Sequence, residues 1–580
     1  MTRSTALIER APAEPARASA PVAGPSGAPV PGRRRRARAA LAALALLLVY
    51  VGLSFLDDPR ASLGSDTGAK VATLRVMDEH NSLVPDVGYW AERYDPRGNV
   101  HPLYNSAHID GHWVNVTTIP MLELAYPLYK LGGDRAILLL PMLGGLLAAF
   151  AARALARRLG SGDGWIAFWA VGLATPVAVY ALDFWEHSLG VAAMAWAVVF
   201  VLDVIQKRAG WRGALVAGAL FGLAATMRTE ALIYALVSIA LVGVAGVRGS
   251  SRRPVSALAG IGAAFMVGLG ALVFANEALE RVIVGGALRS GRASATAGDA
   301  AGSLMKRVTE AFTTTFGLTR FPNGGEWFLG GVLVIAIAVA AYALVKRDDR
   351  SRRIASVAII TTAFVYVLRF STGLGFVPGM LTASPLAIAG IVLWRRNTAT
   401  RWIVAIALGA LPLVWVFQYS GGAGPQWGGR YMLVSGVLLA IAGVVALRNR
   451  VALGVFLTAG VLVSACGVAW LSARTHAVAD SFDYLAARDD SVLISRERFL
   501  LREGGAFYTP ELRWLLAASG RDLVQAFRVA GEAGYDEAAL IQAPERPRPR
   551  ELAGFSRGAT ERIDFFPNTP VTVTTYRRHP

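Results

Sequence analysis

The sequence predicts an all-α polytopic membrane protein with a small extracytoplasmic α/β domain at its C-terminal end. Three observations predict it. First, 54% of the 580 residues are hydrophobic and 17% are charged, with a mean hydropathy of +0.45. A soluble globular chain carries about 25% charged residues. Second, apolar runs long enough to cross a bilayer, at roughly 20 residues per span, recur along the chain and number about thirteen. Third, Lys and Arg gather in every second connection between those runs, as the positive-inside rule requires of a multi-spanning chain. The 58 basic and 40 acidic residues leave a net charge of +18. High basicity invites a nucleic-acid reading, but the excess sits in short loops between apolar runs, which argues against nucleic acid as a partner. The single cysteine, Cys466, lies inside an apolar run, so an intrachain disulfide and a cysteine-rich zinc site are both excluded.

Residues 1–37 are rich in Ala, Pro and Arg without apolar periodicity, and read as a disordered basic cytoplasmic tail. The first apolar run, from about 39 to 56, ends in Phe55-Leu56-Asp57-Asp58 rather than at a small-residue cleavage site, so it reads as an uncleaved first span. Further runs lie at about 136–152, 164–182, 189–205, 213–227, 231–247, 255–274, 328–345, 354–371, 378–394, 402–418, 431–447 and 451–470. The basic connections are Arg153/Arg157/Arg158, Lys207/Arg208/Arg212, Arg248/Arg252/Arg253, Lys346 to Arg353, Arg395/Arg396/Arg401 and Arg448/Arg450. They place the N-terminus in the cytoplasm and the C-terminus outside the cell membrane. The transmembrane domain occupies 38–470 and includes two long outer loops, 57–135 and 275–327, the second with a Gly/Ala/Ser-rich stretch at 285–303. The extracytoplasmic domain, 471–580, has mixed patterning: β-like runs at 491–494, 538–541 and 571–574, and helical stretches near 510–519 and 521–533.

Long outer loops and short inner ones place the function outside. The first outer loop holds Asp57, Asp58, Asp66, Asp78, Glu79, Asp86, Glu92, Asp95 and Asp110, and four of the seven histidines, His80, His101, His108 and His112. Two further outer turns hold polar groups at helix ends: Asp183 to Ser188, with Glu186 and His187, and Arg228-Thr229-Glu230. Ionisable groups near membrane depth face a protein interior or a wet cavity and mark function, so a cavity is expected at the outer membrane boundary. Plainer readings exist. Acids in an outer loop are often solvated loop charge, and Arg228 with Glu230 can be an ion pair capping a tight turn. Asp66 stands apart because it closely follows the first span and precedes Gly68, which lets the backbone stay near the membrane surface. His108 and His112 are four apart with Asp110 between them; on a helix both imidazoles would share a face as metal ligands, with Glu186 and His187 as further donors. A divalent metal ion is therefore a candidate cofactor, against the reading of loop histidines that hydrogen-bond structurally. Trp165, Trp185, Trp327, Trp402 and Trp427 fall near predicted helix ends, as an aromatic belt does.

Several segments resemble a known family. Ser65-Asp66-Thr67-Gly68 fits an acidic motif in a first outer loop. Tyr126-Pro127-Leu128-Tyr129-Lys130-Leu131-Gly132-Gly133, running into a helix that ends Ala154-Leu155-Ala156-Arg157-Arg158-Leu159-Gly160, fits the region around a second helix. Gly222 to Glu230 resembles a short helix ending at an Arg-x-Glu turn, and Gln426-Trp427-Gly428-Gly429-Arg430-Tyr431 resembles a Trp-Gly-x-Arg-Tyr turn. Together, over roughly 40–475, they resemble the GT-C glycosyltransferases, polytopic enzymes that use lipid-phosphate-linked sugars, and within them the protein-mannosyltransferase-like, family 39-related branch. The resemblance implies a hexosyl or pentosyl transferase of the cell envelope, a polyprenyl-phosphate-linked sugar donor, a glycan, lipid or protein acceptor, and an inverting single displacement.

Such a transfer needs a carboxylate to take the acceptor hydroxyl's proton, positive charge to stabilise the departing phosphate, and a groove open to membrane lipids. Asp66 is the expected base, with a pKa raised by the apolar boundary; Asp58 and Asp110 follow it. Arg228 and Arg430 at outer helix ends are expected to hold the phosphate, with Lys70 and Arg75 next. Glu230, Glu186 and His187 complete the expected binding set, and Trp427, in its glycine-rich setting, is the tryptophan expected to meet the sugar. For Arg430 the competing reading is an interfacial arginine snorkelling to headgroups. Two other functions compete. A secondary transporter would place charge at mid-depth on broken helices with internal repeats, and neither pattern is visible. A non-catalytic scaffold displaying the C-terminal domain would not need so acidic a first loop.

Overall fold

The computed structural model describes residues 32–580 apart from 63, 116–118, 249–252, 287, 289–303, 318–323, 347, 352, 356, 360–361, 363–376, 397–399, 419–425, 489–491, 565–569 and 580. The chain divides into two compact units, 1–45 and 46–580. Most of the N-terminal tail, most of the 354–371 run, most of the 285–303 stretch and the glycines at 421–424 lie outside the described residues.

Among the described residues, eight helices are long and apolar enough to cross a membrane, rather than thirteen: Arg36–Ser54, Leu139–Arg158, His187–Ile205, Ala231–Arg248, Val255–Val284, Phe328–Val345, Thr400–Phe417 and Arg450–Ala486. Trp211–Met227 and Arg430–Ala446 are apolar but shorter. Two expected spans are broken by proline. The 164–182 run splits into Trp165–Leu173 and Val177–Tyr180 around Pro176. The 378–394 run splits into Met380–Ala383 and Pro385–Leu393, where Ser384, ahead of Pro385, is driven out of helical geometry to φ −135°, ψ 78°. Hydropathy counts apolar residues and does not register a missing N–H.

The Arg450–Ala486 helix opens on Asn449, whose side chain accepts from the Val451 and Ala452 amides. At 37 residues it extends about 55 Å at 1.5 Å per residue, well beyond the ~30 Å hydrocarbon core. It therefore continues through position 471, and its last turns carry Val478, Phe482 and Leu485 into the core of the C-terminal domain.

That core is shared. Ala72 and Val76 of the Ser65–Glu79 helix, and Val87, Tyr89, Val100, Leu103 and Trp113 of the first outer loop, pack in one cluster with the C-terminal strands. The loop contains a hairpin, β1 (Ser106–Ile109) and β2 (His112–Asn115), closed by Asp110 and Gly111 at φ +50° and +83°. His108 and His112, which would share a face only on a helix, thus flank a two-residue hairpin turn; Asp-Gly with both φ positive is the signature of such a turn.

The C-terminal domain is a six-stranded mixed sheet of β3 (Val492–Ser495), β4 (Trp514–Leu516), β5 (Glu537–Gln542), β6 (Glu551–Leu552), β7 (Phe555–Asp564) and β8 (Pro570–Arg578), in the order β4-β3-β5-β8-β7-β6. The helix Gly520–Glu532 forms as expected, behind a capping box of Ser519 and Asp522. The helix expected at 510–519 does not form. Trp514, Leu515 and Leu516 instead lie parallel to Leu493, Ile494 and Ser495, because a short apolar run takes whichever structure its neighbours complete. The β6–β7 hairpin, turned at Ala553 and Gly554 with φ +49° and +86°, is absent from the sequence reading.

Candidate functional site

Asp66 is the second residue of the Ser65–Glu79 helix, in the first turn, where unpaired N–H groups favour a carboxylate. Its Oδ2 accepts from Arg430 Nη2 at 2.6 Å, and its Oδ1 lies 3.5 Å from Arg502 Nη1. Asp66 is 36% exposed, whereas Arg430 is 13% and Arg502 3% exposed. Lys70, one turn along the same face, is buried and donates to Glu186 Oε2. Glu186 Oε1 lies 3.3 Å from Arg228 Nη1, and Arg228 Nε donates to Glu230 Oε1 at 2.9 Å. Arg430 Nε donates to His187 Nε2 at 3.2 Å. The accepting nitrogen is unprotonated, so the imidazole carries its proton on Nδ1.

Two bonded groups lie side by side: Asp66 with Arg430, His187 and the additional Arg502, and Lys70 with Glu186, Arg228 and Glu230. Arg228 and Arg430 both lie 5.0 Å over the Tyr431 ring, and the Lys70 charge acts on Asp66. Four cations (Lys70, Arg228, Arg430 and Arg502) surround three carboxylates (Asp66, Glu186 and Glu230). Arg228 and Glu230 do form the turn-capping pair, and Glu186 ties that pair into the larger site. Arg430 is no snorkelling side chain; its guanidinium is turned inward, with Cζ 4.1 Å over the Trp185 ring. Tyr180 stacks on His187 with centroids 5.0 Å apart.

Local backbone explains how Arg430 arrives. Gly428 and Gly429 have φ +68° and +71°, and a Cβ on Gly429 would lie 2.7 Å from the Thr314 carbonyl. Only glycine takes that bend at that separation. It delivers Arg430 into the short turn Arg430–Met432 ahead of the Leu433–Ala446 helix. Trp427 is fully buried, with its carbonyl accepting from Tyr180 Oη at 3.0 Å and its ring 5.7 Å from Trp470. Its ring is part of the interior rather than of an open sugar-binding face.

Arg502 is the residue that sequence reasoning missed. It sits on a short turn, Leu500–Glu503, in the C-terminal domain, and donates to Asn115 Oδ1 at 3.0 Å. No local signal marks it. Its position follows from backbone contact: a Cβ on Gly68 would lie 1.9 Å from the Arg502 carbonyl oxygen, and one on Gly505 1.7 Å from that of Gly68. Gly68 serves to seat the domain against the Asp66 helix.

Burial alone would push the Asp66 carboxyl up, as the sequence reading expected. Arg430, Arg502 and Lys70 outweigh it and hold the group well below the usual carboxylate range. Asp57 goes the other way. It is 5% exposed, neither carboxyl oxygen has a hydrogen-bond partner, and burial and then Asp183, against Arg135, push it up to about 7. Asp57 shares a cleft with Thr67, Asp134 and Asp183, and Thr67 Oγ1 donates to Asp183 Oδ2 at 2.9 Å.

The remaining candidates lie apart. His112 Nδ1 is 2.9 Å from Asp86 Oδ2, and His108 Nε2 is 3.4 Å from Glu92. They stand on opposite strands of the hairpin rather than on one helical face. Among the described residues no cluster of three His, Cys, Asp or Glu is arranged to hold a metal ion. Arg75 pairs with Glu79 and donates to the Ala506 carbonyl, Asp58 pairs with Arg60, and Asp110 forms the hairpin turn.

No protein-family model matches the chain, and no curated protein matches it by sequence. Similar solved structures exist. The oligosaccharyltransferase of Archaeoglobus fulgidus in its apo form is 12% identical with a TM-score of 0.45, over 86% of this chain and 69% of that one. ArnT from Cupriavidus metallidurans bound to undecaprenyl phosphate is 15% identical with a TM-score of 0.42, over 92% of this chain and 97% of that one. The archaeal oligosaccharyltransferase AglB from A. fulgidus, in complex with an inhibitory peptide and a dolichol-phosphate, is 10% identical with a TM-score of 0.42. These are likenesses, and they assign no activity and no residue role to this chain.

Proposed function

We propose that the chain is a multi-pass plasma-membrane glycosyltransferase. It moves a hexosyl or pentosyl group from a polyprenyl-phosphate-linked donor to an acceptor hydroxyl on a glycan, lipid or protein at the outer face. The observation that supports this is a partly exposed carboxylate, Asp66, held between two guanidiniums, the largely enclosed Arg430 and the buried Arg502, with Lys70 and Arg228 behind them. Concentrated positive charge beside a carboxylate is what phosphate departure and hydroxyl deprotonation require together.

Asp66 with its present partners is a weak base, because its pKa is lowered. A donor phosphate competes for those guanidiniums, which bind phosphate bidentately. As Arg430 turns to the phosphate, Asp66 loses its strongest stabilisation, its proton affinity rises, and it takes the acceptor proton. The acceptor oxygen then bonds to the anomeric carbon, the bond from that carbon to the phosphate oxygen breaks, and polyprenyl phosphate leaves. A single carboxylate acting in one displacement inverts the anomeric centre. His187 and Trp185 position Arg430, while Glu186 and Glu230 position Lys70 and Arg228.

The test is lipid-linked-sugar and envelope-glycan analysis of cells lacking the gene, complemented with wild type or Asp66→Asn. The expected result is an accumulating polyprenyl-phosphate sugar that wild type clears and Asp66→Asn, inserted at equal abundance, does not. General-base loss typically costs ~10²–10⁴ in rate. Equal clearance by both proteins would leave the chain a scaffold or transporter, and this reading would fall.

A further inference from the structure

A second site lies where the first outer loop meets the C-terminal sheet. An open pocket of about 410 Å³ is lined by Tyr89, Trp90, Tyr94, Pro510, Glu511 and Tyr535. That volume falls within the ~300–1,000 Å³ typical of small-ligand sites. The Asp66 network uses none of these residues.

The aromatic rings are held in place. Trp90 Nε1 donates to the Trp514 carbonyl at 3.1 Å, and its ring meets Tyr535 edge-on with centroids 5.8 Å apart. Tyr89 donates to Asp95 Oδ2 at 3.0 Å. Arg513 lies 4.9 Å over Tyr535. Trp90, Tyr94 and Tyr535 are each half-buried, with part of the ring packed and part on the pocket. Glu511 on the rim is exposed.

We infer that this pocket binds a saccharide, the glycan acceptor of the proposed transfer. Sugar rings present C–H faces that pack on flat aromatic surfaces by dispersion, and hydroxyls that need acceptors and donors at the edge of that surface. Rigid aromatic faces bordered by a carboxylate and phenol hydroxyls supply both. An acyl chain has no use for the polar rim, and Glu511 on the rim, with Arg513 against Tyr535, leaves no unbalanced positive charge to select an anionic ligand. Rings already fixed by Trp514, Asp95 and Arg513 lose little freedom on binding. The same two segments that bring Arg502 to Asp66 build this pocket, so a glycan seated here is held by the frame that carries the reacting carboxylate. The inference rests on the glycosyl-transfer reading for its role as acceptor site, and on the pocket alone for saccharide binding.

The experiment presents a neutral oligosaccharide array to the full chain in lipid nanodiscs, followed by calorimetry on the best-retained sugar. Tyr94→Ala and Glu511→Gln are each expected to weaken binding roughly tenfold or more, with the thermal midpoint of Glu511→Gln unchanged. Failure of wild type to retain any saccharide overturns the inference, and so does equal binding by both pocket variants. Capture of aromatic or proline-rich peptides in place of sugars also overturns it. Saccharide binding that persists while no lipid-linked sugar accumulates in cells lacking the gene would keep the pocket and remove the transferase.

Discussion

Asp66 and Arg430 stand 364 positions apart in the chain and meet in an ion pair at 2.6 Å. Arg430 reaches past that contact to His187 and lies over the Trp185 ring, so one guanidinium holds a carboxylate from one segment and the imidazole and indole of another. A planar fork does this; a point charge on a flexible stem does not.

Arg430→Lys is therefore expected to keep the protein inserted but to weaken donor use, and Arg430→Ala to weaken it further. One charge-assisted hydrogen bond is worth about 1.5–3 kcal/mol, so the alanine variant should need roughly tenfold or more additional donor for half-maximal transfer. Donor titration in nanodiscs reads this. Wild-type donor use by both variants would pass the phosphate-binding role to Arg228.

Gly68→Ala separates two opposing effects. Within the Ser65–Glu79 helix, alanine for glycine should stabilise by about 0.5–1 kcal/mol. At this position the added Cβ meets the Arg502 carbonyl at 1.9 Å, and overpacking costs about 1–3 kcal/mol. Net destabilisation is expected, with a lower thermal midpoint and faster proteolysis of the C-terminal domain. A raised midpoint would show that the domain is not seated on this helix.

Asp57 makes stability depend on pH. Its folded pKa, about 7, lies above the ordinary 3.8, so the folded state binds the proton more tightly. The stabilisation is complete below about pH 4 and is lost as pH rises through about 7, on the order of 4 kcal/mol over the whole window. Asp57→Asn, which never ionises, should be more stable than wild type at pH 8 and should lack this fall between pH 5 and pH 8. Thermal unfolding in detergent at the two pH values measures it, and parallel curves for the two proteins would refute it.

Reporter fusions near 250 and 350 are expected to read cytoplasmic, and a fusion at the C-terminus extracytoplasmic, because basic residues gather in alternate connections. A cytoplasmic reading at the C-terminus would put the sheet domain and Arg502 on the inner face and remove the outer-face site.

Apolar length, basic connections and the polar turns were legible in the sequence by itself. They determined a chain with long membrane-length helices, a mixed C-terminal domain, and a set of charged residues in the first outer loop and at outer helix ends that includes Asp66, Lys70, Glu186, Arg228 and Arg430. Hydropathy and charge act locally, so a window of residues carries them. Only the tertiary structure decided the rest. Pro176 and Pro385 cut two apolar runs, Asp110-Gly111 made a hairpin of the histidine segment, and Trp514 joined a sheet because β3 lay beside it. Arg502 reached Asp66 through a glycine contact between segments more than 400 residues apart. The sign of the Asp66 pKa shift was decided in the same way. Burial favours the neutral acid, and the balance reversed only when Arg430 and Arg502 arrived from distant parts of the chain, because electrostatic energy depends on distances in space that no sequence window contains.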